Sequence, residues 1–356
     1  MGPSVSDLEG GRASLGLRLP SAAPDTTMDA RDRTEDGEEA PKRAPVKVMV
    51  QIPCLNEEET LPLVLESIPR QIPGVDTIEV IVIDDGSTDG TRRVAEEHGV
   101  RHVIVHRRTM GLARSFHDGV ALALESGADI LVNTDGDNQY PQNRIPDLIE
   151  PILTGAAEIV IADRQTDTIT HFSPLKKLLQ RLGTWVVNRV SGTDLPDAAS
   201  GFRAYSRYSL TRLNVVTEFS YCMETIIQAG NKRLATVSVP VTTNPKLRES
   251  RMFNNIWQHV FRSMSAIVRA YVMYKPRTLF TALGVVLLAL GAVPFVRFGY
   301  LAATRVHPGG HVQSLIFGTV LLMGAALSAV LGVLADLIRV NRILLEEGLE
   351  RDRSRH

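Results

Sequence analysis

Two long segments without a single charged residue, near the end of the chain, restrict the fold most strongly. They are Thr278–Val296 and Ser314–Ala335. Each reaches the roughly 20 residues that a helix needs to cross the hydrocarbon core of a bilayer. A chain surrounded by lipid must satisfy its own backbone hydrogen bonds, which favours helices. The short loop between the segments, Arg297–Gln313, predicts a transmembrane helical hairpin, and two buried core helices are the alternative.

The basic residues that flank the hairpin predict its orientation. Lys275 and Arg277 precede the first segment, and Arg339 and Arg342 follow the second. Basic residues favour the cytoplasmic side of a membrane, although two arginines in the connecting loop weaken the contrast. Both ends of the hairpin, and the large domain before it, are therefore predicted to lie in the cytoplasm.

The residues just before the hairpin have an amphipathic pattern. Apolar residues recur at helical spacing over Ile256–Tyr274, interleaved with His259, Arg262 and Arg269. A basic amphipathic helix suits a membrane surface, whereas an ordinary packed helix is the alternative. Its position before the hairpin favours the membrane surface.

Before this helix, the chain divides into a polar tail and a folded domain. Residues 1–45 lack hydrophobic periodicity, which predicts a disordered tail, and they lack the apolar core of a signal peptide. The predicted division is a tail over 1–45, a catalytic domain over 46–252 and interfacial helices over 253–277. Two transmembrane helices over 278–340 and a charged tail over 341–356 complete it.

The domain after the tail alternates short apolar strands with helices, which predicts an α/β fold with a mostly parallel sheet. Ligands of such sheets bind at the carboxyl ends of the strands. After the fifth strand, we expect an irregular region to about Tyr205. The predicted strands are Val46–Ile52, Ile78–Ile83, Arg101–His106, Ile130–Asn133, Glu158–Ala162 and Leu234–Val239. The predicted helices are Glu57–Ile68, Arg92–His98 and Leu112–Ser126.

Acidic residues follow the ends of two predicted strands. Asp135 and Asp137, two residues apart, come directly after the fourth strand, and Asp84 lies at the end of the second. Paired carboxylates can hold a hard divalent cation together with a diphosphate. A lone Asp-x-Asp is more often a simple turn. Asn56 and Glu57, at the end of the first strand, should converge on the same crevice and strengthen the functional interpretation.

Composition excludes several other classes of protein. The formal net charge is −1, which gives no indication of nucleic-acid binding. The two cysteines, Cys54 and Cys222, lie in no CxxC pattern, so neither a disulfide framework nor a zinc site is predicted.

Five motifs together resemble a known family. They are Pro53-x-x-Asn-Glu-Glu, Asp84-Asp-Gly-Ser-Thr-Asp-Gly-Thr, Gly111-Leu-Ala-Arg, Asp135-Gly-Asp-Asn-Gln and Ser200-Gly-Phe-Arg-Ala-Tyr. Their order is similar to that in family 2 glycosyltransferases of the GT-A fold, and most similar to that in the dolichyl- and polyprenyl-phosphate sugar synthases. The resemblance covers about Val46–Arg251, and the hairpin extends it. It implies a Rossmann-like, mostly parallel sheet domain.

The resemblance also implies roles for individual residues. The catalytic residues would be Asp135, Asp137, Gln139 and Arg164, of which Asp135, Asp137 and Gln139 would bind Mg²⁺ or Mn²⁺. The nucleotide-sugar would contact Pro53, Asn56, Glu57, Asp84, Asp85, Ser87, Gly111, Arg114, Asp135 and Gly136. The sugar or acceptor would contact Ser200, Gly201, Phe202, Arg203, Glu224, Lys246, Arg248 and Arg251. Gly136 and Asn138 depart from the commoner Asp-Ala-Asp-Leu-Gln, which leaves the sugar open.

The basic loop Lys246, Arg248 and Arg251 has support from chemistry as well. A lipid phosphate needs cations at the membrane boundary, and arginine binds phosphate in a bidentate manner. A solvated loop, or contact with anionic lipid headgroups, is the alternative. The expected partners are a nucleotide-sugar, a polyprenyl phosphate and the membrane, with no nucleic acid. A homo-oligomer is left open.

The expected reaction is a single inverting displacement from a UDP- or GDP-linked sugar, with a lean towards uridine. An acceptor phosphate is already anionic and needs no strong base, so orientation and charge stabilisation should dominate. A hydroxyl acceptor would need a carboxylate base, for which Glu224 and Glu218 are the candidates. A nonenzymatic membrane scaffold and a nucleotidyltransferase are further alternatives. We expect structural or solvated roles for His117, His171, Lys176, Lys177 and Arg181.

Overall fold

A mixed sheet of seven strands organises the part of the chain that the structure describes. This computed structural model describes residues 44–165, 174–215, 221–245, 272, 274–304 and 312–353. The strand order is β3-β2-β1-β4-β6-β5-β7. The strands are β1 Lys47–Cys54, β2 Thr77–Asp84, β3 His102–Val105, β4 Ile130–Asn133, β5 Ile159–Asp163, β6 Arg203–Ser206 and β7 Thr236–Pro240.

Helices connect the strands and cover both faces of the sheet, as expected for buried parallel strands. A short 3₁₀ turn, Gln142–Arg144, precedes the fourth helix. The helices are α1 Leu61–Ser67, α2 Thr91–Glu97, α3 Leu112–Glu125, α4 Ile145–Leu153, α5 Pro174–Ser191, α6 Arg207–Arg212, α7 Tyr221–Asn231, α8 Pro276–Ala303 and α9 Val312–Arg353.

One strand, β6, runs against its neighbours. It pairs antiparallel with both β4 and β5, whereas the other pairings in the described sheet are parallel. Arg203, the first residue of β6, lies opposite Asn133, the last residue of β4. The residues that precede β6 are therefore at the same edge of the sheet as the carboxyl ends of the parallel strands.

The predicted fold class is confirmed, with one difference of detail. The segment predicted as irregular up to Tyr205 contains helix α5 and most of strand β6. Helix α5 is rich in polar residues and β6 has only four residues, so neither segment shows a clear periodic pattern of apolar residues. Burial of β6 comes from its central place between β4 and β5, which local sequence does not reveal.

The two faces of the sheet carry separate apolar clusters, and β1 contributes to both. Met49 packs into the cluster with α3, α5 and α7, while Val48 and Val50 pack into the cluster with α1 and α4. Side chains of a strand alternate between its faces, so a continuous apolar run indicates burial on both. The sheet is thus the rigid base on which the loops at its carboxyl edge are held.

Helices α8 and α9 form the hairpin, and both are long and apolar enough to cross a membrane. They approach closely at two glycines, because a Cβ placed on Gly318 would lie 2.9 Å from the carbonyl oxygen of Gly291. Ser328 Oγ donates a hydrogen bond of 2.8 Å to the Phe280 carbonyl. Small residues and hydroxyl groups are what close packing of helices in lipid requires. The outer surfaces remain exposed and apolar, as membrane-spanning helices need.

The predicted division into segments stays a prediction. Helix α9 continues to Arg353, so the part predicted as a charged tail after residue 340 is helical up to that point. The predicted tail over 1–45 falls almost wholly outside the described residues, as do the predicted interfacial helices up to residue 271.

Candidate active site at the carboxyl edge of the sheet

Loops after three neighbouring parallel strands meet at one edge of the sheet. Strands β2, β1 and β4 are adjacent, and they end at Asp84, Cys54 and Asn133. The antiparallel strand β6 brings Gly201 to the same edge, where an added Cβ would lie 3.2 Å from both carboxylate oxygens of Asp135. The predicted convergence of the motifs on one crevice is therefore present in the geometry.

Buried Asn133 holds this edge together. Its Nδ2 donates to the carbonyl oxygen of Gly201 at 2.8 Å and to Tyr221 Oη at 2.7 Å. Its Oδ1 accepts a hydrogen bond of 2.8 Å from Gln51 Nε2. These bonds fasten β4 to β1, to the loop before β6 and to helix α7. Our site prediction omitted Asn133, although a buried amide directly before the acidic loop was a usable signal.

Asp135 and Asp137 form the acidic centre of the site. Burial, and then repulsion from Asp137, raises the pKa of Asp135 to about 7. Asp137 Oδ1 accepts a hydrogen bond from the Gln139 backbone N–H at 3.1 Å, which closes the loop on itself. Asn138 between them has a left-handed backbone, φ 57°, which asparagine tolerates better than most residues. The loop thus keeps Asp137 near enough for its charge to act on the buried carboxylate of Asp135.

The chemistry of this pair fits a divalent cation. Two crowded carboxylates repel each other, and a hard cation with oxygen ligands relieves that repulsion. The described residues contain no group of three or more His, Cys, Asp or Glu side chains arranged around one metal position. A cation here would take its remaining ligands from a diphosphate and water, as Mg²⁺ commonly does. Gln139 remains a predicted ligand.

Gly136 lies against the first strand. Thr60 Oγ1 lies 2.8 Å from the Gly136 carbonyl oxygen and 2.7 Å from Glu57 Oε2, within hydrogen-bonding distance of both. A Cβ added at Gly136 would lie 2.9 Å from Cys54 Sγ and 3.2 Å from Glu57 Cγ. The commoner alanine at this position would therefore place its methyl group too close to the thiol of Cys54. Burial is also the main cause that raises the pKa of the Cys54 thiol, which keeps it unreactive.

The loops after β1 and β2 are fastened to each other by Asn56. Its backbone N–H donates to Ser87 Oγ at 2.9 Å, and its Oδ1 accepts from the Thr88 N–H at 2.7 Å. Asp84, buried at the end of β2, accepts a hydrogen bond of 2.9 Å from the Ser87 N–H. Pro53 is the penultimate residue of β1 and pairs with Ile83. The predicted nucleoside-binding residues Asn56, Asp84 and Ser87 therefore lie in one connected pair of loops.

Asp85 organises the loop before helix α3. Its carboxylate accepts hydrogen bonds from the backbone N–H groups of Met110 and Gly111, at 2.7 and 2.8 Å. His106 Nδ1 lies 2.7 Å from the same carboxylate, and its Nε2 lies 3.2 Å from Asp118. Arg114 binds Asp118 at 2.8 Å on the exposed side of α3. The geometry gives Asp85 a role in holding this loop; our site prediction also omitted His106.

Arg164 follows β5 and is fixed by an ion pair. Its Nε and Nη2 donate to the two carboxylate oxygens of Asp197 at 2.6 and 3.0 Å. Burial alone would raise the pKa of Asp197, but the hydrogen bonds and charge of Arg164, together with backbone hydrogen bonds, outweigh it and the pKa is lowered. The positive charge of Arg164 also acts to lower the pKa of Asp135. The guanidinium is thus held near the acidic loop by a bidentate partner.

The motif at Ser200–Arg203 contributes mainly to the architecture of the site. Phe202 is buried and stacks on Tyr140 with ring centroids 5.2 Å apart, and Tyr140 Oη accepts from the Gly201 N–H at 3.0 Å. Ser200 Oγ is buried and has no hydrogen-bond partner in the part of the chain that the structure describes. For Ser200, Gly201 and Phe202, contact with the sugar or acceptor stays a prediction.

The guanidinium of Arg203 lies in the interior. It donates to the carbonyl oxygens of Ser200, Cys222 and Ala198 at 2.7 to 3.0 Å, and to Thr225 Oγ1 at 2.9 Å. From sequence, an arginine in this motif is predicted to bind a ligand, because arginine is seldom fully buried. Here the carbonyl groups supply enough acceptors to bury it, so it braces the loop instead of facing the crevice.

The remaining acidic candidate, Glu224, is in the first turn of α7 and is buried. Its Oε1 lies 3.7 Å from Arg342 Nη2 of helix α9. Of the residues expected to be structural, His117 contacts Asp118 at 3.1 Å, and Arg181 lies on an exposed helix face with Lys177 half-buried beside it. Six residues of the sequence analysis lie outside the described residues or side chains: His171, Lys176, Glu218, Lys246, Arg248 and Arg251.

The segment that leads to the basic loop is anchored at the acidic loop. The Asn244 backbone N–H donates to the Gln139 carbonyl at 2.9 Å, and Asn244 Nδ2 donates to the Asn138 carbonyl at 3.1 Å. Asn244 is two residues before Lys246 in the sequence. The start of the predicted acceptor loop is therefore attached to the loop that carries Asp135 and Asp137.

Comparisons with known proteins identify relatives of this chain. Residues 49–213 match the glycosyl transferase family 2 domain. Undecaprenyl-phosphate mannosyltransferase of Micrococcus luteus is 31% identical over 224 residues, which cover 59% of this chain and 89% of that protein. Polyprenol monophosphomannose synthase of Mycolicibacterium smegmatis is 27% identical over 245 residues, covering 65% and 91%. A UDP-N-acetylglucosamine–dolichyl-phosphate N-acetylglucosaminyltransferase of Methanococcus voltae is 29% identical over 213 residues, covering 54% and 83%.

Proposed function

Because the chain belongs to glycosyl transferase family 2, we propose that it transfers a hexosyl group from a UDP- or GDP-linked sugar to a polyprenyl phosphate at the cytoplasmic face of a membrane. Support comes from the relatives, whose names describe sugar transfer to undecaprenyl, polyprenol and dolichyl phosphates. Helices α8 and α9, each long and apolar enough to span a bilayer, would keep the protein beside such an acceptor.

The observation that carries the proposal is the attachment of Asn244 to the acidic loop. Asp135 and Asp137 are suited to a nucleoside diphosphate, and Lys246, Arg248 and Arg251 are suited to an anionic acceptor. The hydrogen bonds of Asn244 to Asn138 and Gln139 make the first group structurally continuous with the start of the second. A transfer between two phosphate-bearing substrates needs this adjacency.

The residues of the chain would act mainly by orientation and charge. The loops joined by Asn56 would hold the nucleoside, and Asp135 with Asp137 would hold Mg²⁺ or Mn²⁺ at the diphosphate. When bound, the ion offsets the negative charge that the departing nucleoside diphosphate acquires. Arg164, held by Asp197, would add a positive charge on the same side. The acceptor phosphate is anionic near neutral pH, so it can attack the anomeric carbon without a strong base, and one displacement inverts the configuration.

The sugar and the base of the donor are narrower questions. The named relatives include two mannosyl transferases and one N-acetylglucosaminyl transferase. Gly136 and Asn138 lie in the acidic loop, where a change in side-chain volume would alter the space for the sugar. We therefore propose a hexosyl donor and leave the identity of the hexose to the assay.

The test is a transfer assay with purified protein reconstituted in lipid. Undecaprenyl phosphate and Mg²⁺ or Mn²⁺ are supplied with radiolabelled UDP- and GDP-sugars, one at a time, and undecaprenol without phosphate is the matched control acceptor. We expect label from one donor in the lipid phase, only with the phosphorylated acceptor. Equal labelling of the alcohol, or label in water-soluble polymer alone, would contradict a lipid-phosphate acceptor.

The Asp137→Ala variant tests the acidic centre. Loss of this carboxylate should reduce transfer by at least about 100-fold, because the charge of the leaving diphosphate is no longer offset. The protein should still fold and remain in the membrane. Asp194→Ala, which removes an exposed carboxylate outside the site, is the control and should keep full activity. Similar rates for both variants would exclude Asp137 from the site.

A hydroxyl acceptor is the alternative within the same family, and it would need a general base. Of the two candidates, Glu218 lies outside the described residues, and the side chain of Glu224 is 3% exposed and lies beside the guanidinium of Arg342. A general base must come within hydrogen-bonding distance of the hydroxyl group that it deprotonates, and a carboxylate this buried is poorly placed to do so. For Glu224, this burial favours a phosphate acceptor over a hydroxyl acceptor.

A further inference from the structure

Three parts of the chain meet at the guanidinium of Arg342. This residue is on α9, past the uncharged stretch that ends at Ala335. Its Nη2 lies 3.7 Å from Glu224 Oε1 and donates to Tyr274 Oη at 3.3 Å. Tyr274 stands two residues before Pro276, where α8 begins. One charged group thus joins the catalytic domain, the residues just before α8 and the last third of α9.

The ion pair of Glu224 and Arg342 is largely shielded from solvent. The side chain of Glu224 is 3% exposed and that of Arg342 is 24% exposed. Arg342 also lies over the ring of Tyr274, with its Cζ 5.2 Å from the centroid, which adds a cation–π interaction. Burial, followed by the nearby Glu224 carboxylate, raises the pKa of Tyr274 to about 12, so its hydroxyl stays protonated. Gln228 Nε2 adds a hydrogen bond to Glu224 at 3.3 Å.

Helix α7 continues this contact towards the acidic loop. Tyr221 is one turn before Glu224, and its hydroxyl accepts a hydrogen bond of 2.7 Å from Asn133 and donates one of 3.3 Å to the Gly201 carbonyl. Asn133 is two residues before Asp135. Helix α7 therefore connects Arg342 of the hairpin to Asn133, which supports the acidic loop.

A second contact fixes the other side of the junction. Lys275 Nζ donates to the Arg189 carbonyl, in the last turn of α5, at 2.8 Å. A lysine that binds the carbonyl groups at a helix C-terminus is a favourable arrangement. This bond holds the start of α8 against α5, whereas the contact of Arg342 holds α9 against α7.

We propose that Arg342 is a positioning residue, which sets the height and angle of the catalytic crevice relative to the membrane through its contacts with Glu224 and Tyr274. This inference rests on the proposed function. An acceptor phosphate in a bilayer is confined to a plane, so a crevice at the wrong height cannot reach it. An acceptor that is free in water is not so confined and can enter a displaced crevice.

The test compares a bilayer acceptor with a water-soluble one. Arg342→Ala protein in vesicles is assayed with undecaprenyl phosphate and, separately, with a short, water-soluble prenyl phosphate. We expect KM for the bilayer acceptor to rise about 10-fold or more, since small misplacements of reacting groups have effects of this size. KM for the nucleotide-sugar and the rate with the short acceptor should stay within about two-fold of wild type. Equal losses with both acceptors would mean a general structural role and would overturn the proposal.

Arg339→Ala is the matched control on the same helix. Arg339 lies one turn earlier and pairs with Asp336 of α9 itself at 3.2 Å, and among the described residues it forms no ion pair with the catalytic domain. It removes the same charge near the same membrane surface, and it should leave KM for the bilayer acceptor unchanged. A rise equal to that in Arg342→Ala would show that only basic charge at the membrane matters, which would overturn the proposal.

A double-mutant cycle with Glu224→Gln tests the pair itself. Residues that act through one contact are not additive, so the double variant should raise KM no more than Arg342→Ala alone. Multiplying effects would show that the two residues act separately and would overturn the proposal. If Arg342→Ala does not fold, Arg342→Gln takes its place in both comparisons. Wild-type protein that transfers sugar to neither acceptor would instead refute the proposed function, which separates the two failures.

Discussion

Gly136 and Cys54 show how single residues shape the acidic loop. Gly136 packs directly against Cys54, and a Cβ added at the glycine would lie 2.9 Å from the thiol sulfur. Close-packed interiors respond to the addition of even one methyl group. The side-chain volumes that positions 136 and 54 tolerate therefore depend on each other.

A prediction at this scale concerns the volume of that contact. Gly136→Ala should destabilise the protein by about 1–3 kcal/mol through overpacking, and Cys54→Ala in the same protein should restore much of the loss. The measurement is the midpoint of thermal unfolding in detergent. Gly183→Ala is the control, because no atom within 4 Å would meet its Cβ and alanine favours a helix. Unchanged stability of Gly136→Ala would contradict the close contact.

The Arg164–Asp197 pair gives a prediction about pH. The pKa of Asp197 is lowered in the folded protein, so its stabilising contribution is complete above the unfolded value of about 3.9 and is lost as the pH falls through the folded value. Asp197→Asn should cost about 3–5 kcal/mol near neutral pH by leaving a buried arginine without its partner. Below about pH 4 the difference in unfolding midpoint between wild type and variant should narrow.

The control for this pH series is an exposed ion pair. Arg144 and Asp147, with side chains 46% and 39% exposed, should contribute little, so Asp147→Asn should stay close to wild type throughout. A difference between Asp197→Asn and wild type that stays constant with pH would mean that Asp197 does not titrate as the ion pair requires.

At the scale of elements, helix α5 has an unusual outer face. Leu178, Leu182 and Trp185 are exposed at helical spacing, while Val186 and Val187 of the same helix are buried in the core. The Lys275–Arg189 bond ties the end of this helix to the start of α8. An exposed apolar stripe beside the start of the proposed membrane-spanning helix α8 is suited to a membrane surface.

We expect Trp185 to lie in the interfacial region of the bilayer, where tryptophan is enriched. The chain has two tryptophans, so Trp257→Phe leaves Trp185 as the sole reporter. Its fluorescence should be quenched in vesicles that contain lipids brominated near the headgroup, relative to vesicles without bromine. Equal fluorescence in the two kinds of vesicle would place α5 away from the membrane.

At the scale of the whole molecule, the proposed membrane topology depends on the hairpin. Helices α8 and α9 pack closely at Gly291 and Gly318, and the start of α8 and the part of α9 around Arg342 both adjoin the catalytic domain. In the proposed topology both helices cross the membrane, so the chain returns to the side from which it came. We therefore expect the catalytic domain and the last part of α9 to lie on one side.

Labelling with a membrane-impermeant maleimide on intact cells tests the side. Thr304→Cys, at the far end of α8, should react from outside, whereas Glu97→Cys, exposed on α2, should react only after permeabilisation. The native thiols of Cys54 and Cys222 are buried, and burial raises the pKa of both, so they should stay unlabelled. The reverse pattern would place the catalytic domain outside the cell.

The sequence by itself determined the elements that depend on local periodicity. Hydrophobic patterns along the chain predict the strands β1, β2 and β4 and the two apolar helices. The acidic residues can then be read directly at the ends of the predicted strands. Parallel strands end at one edge of a sheet, so even the convergence of Asp84 and Asp135 could be predicted. The family followed from motifs that keep the same order along the chain.

Only the tertiary structure decided which partners the polar residues find. The decisive contacts join residues that are mostly distant in sequence. They are the antiparallel pairing of β6, the hydrogen bonds of Arg203 to carbonyl groups, the hydrogen bonds of Asn133 and the contact of Arg342 with Glu224. A side chain that can bind either a ligand or the protein has the same local pattern in both cases. Its role depends on which acceptors or charges the fold brings within about 3–4 Å, and no local period encodes that.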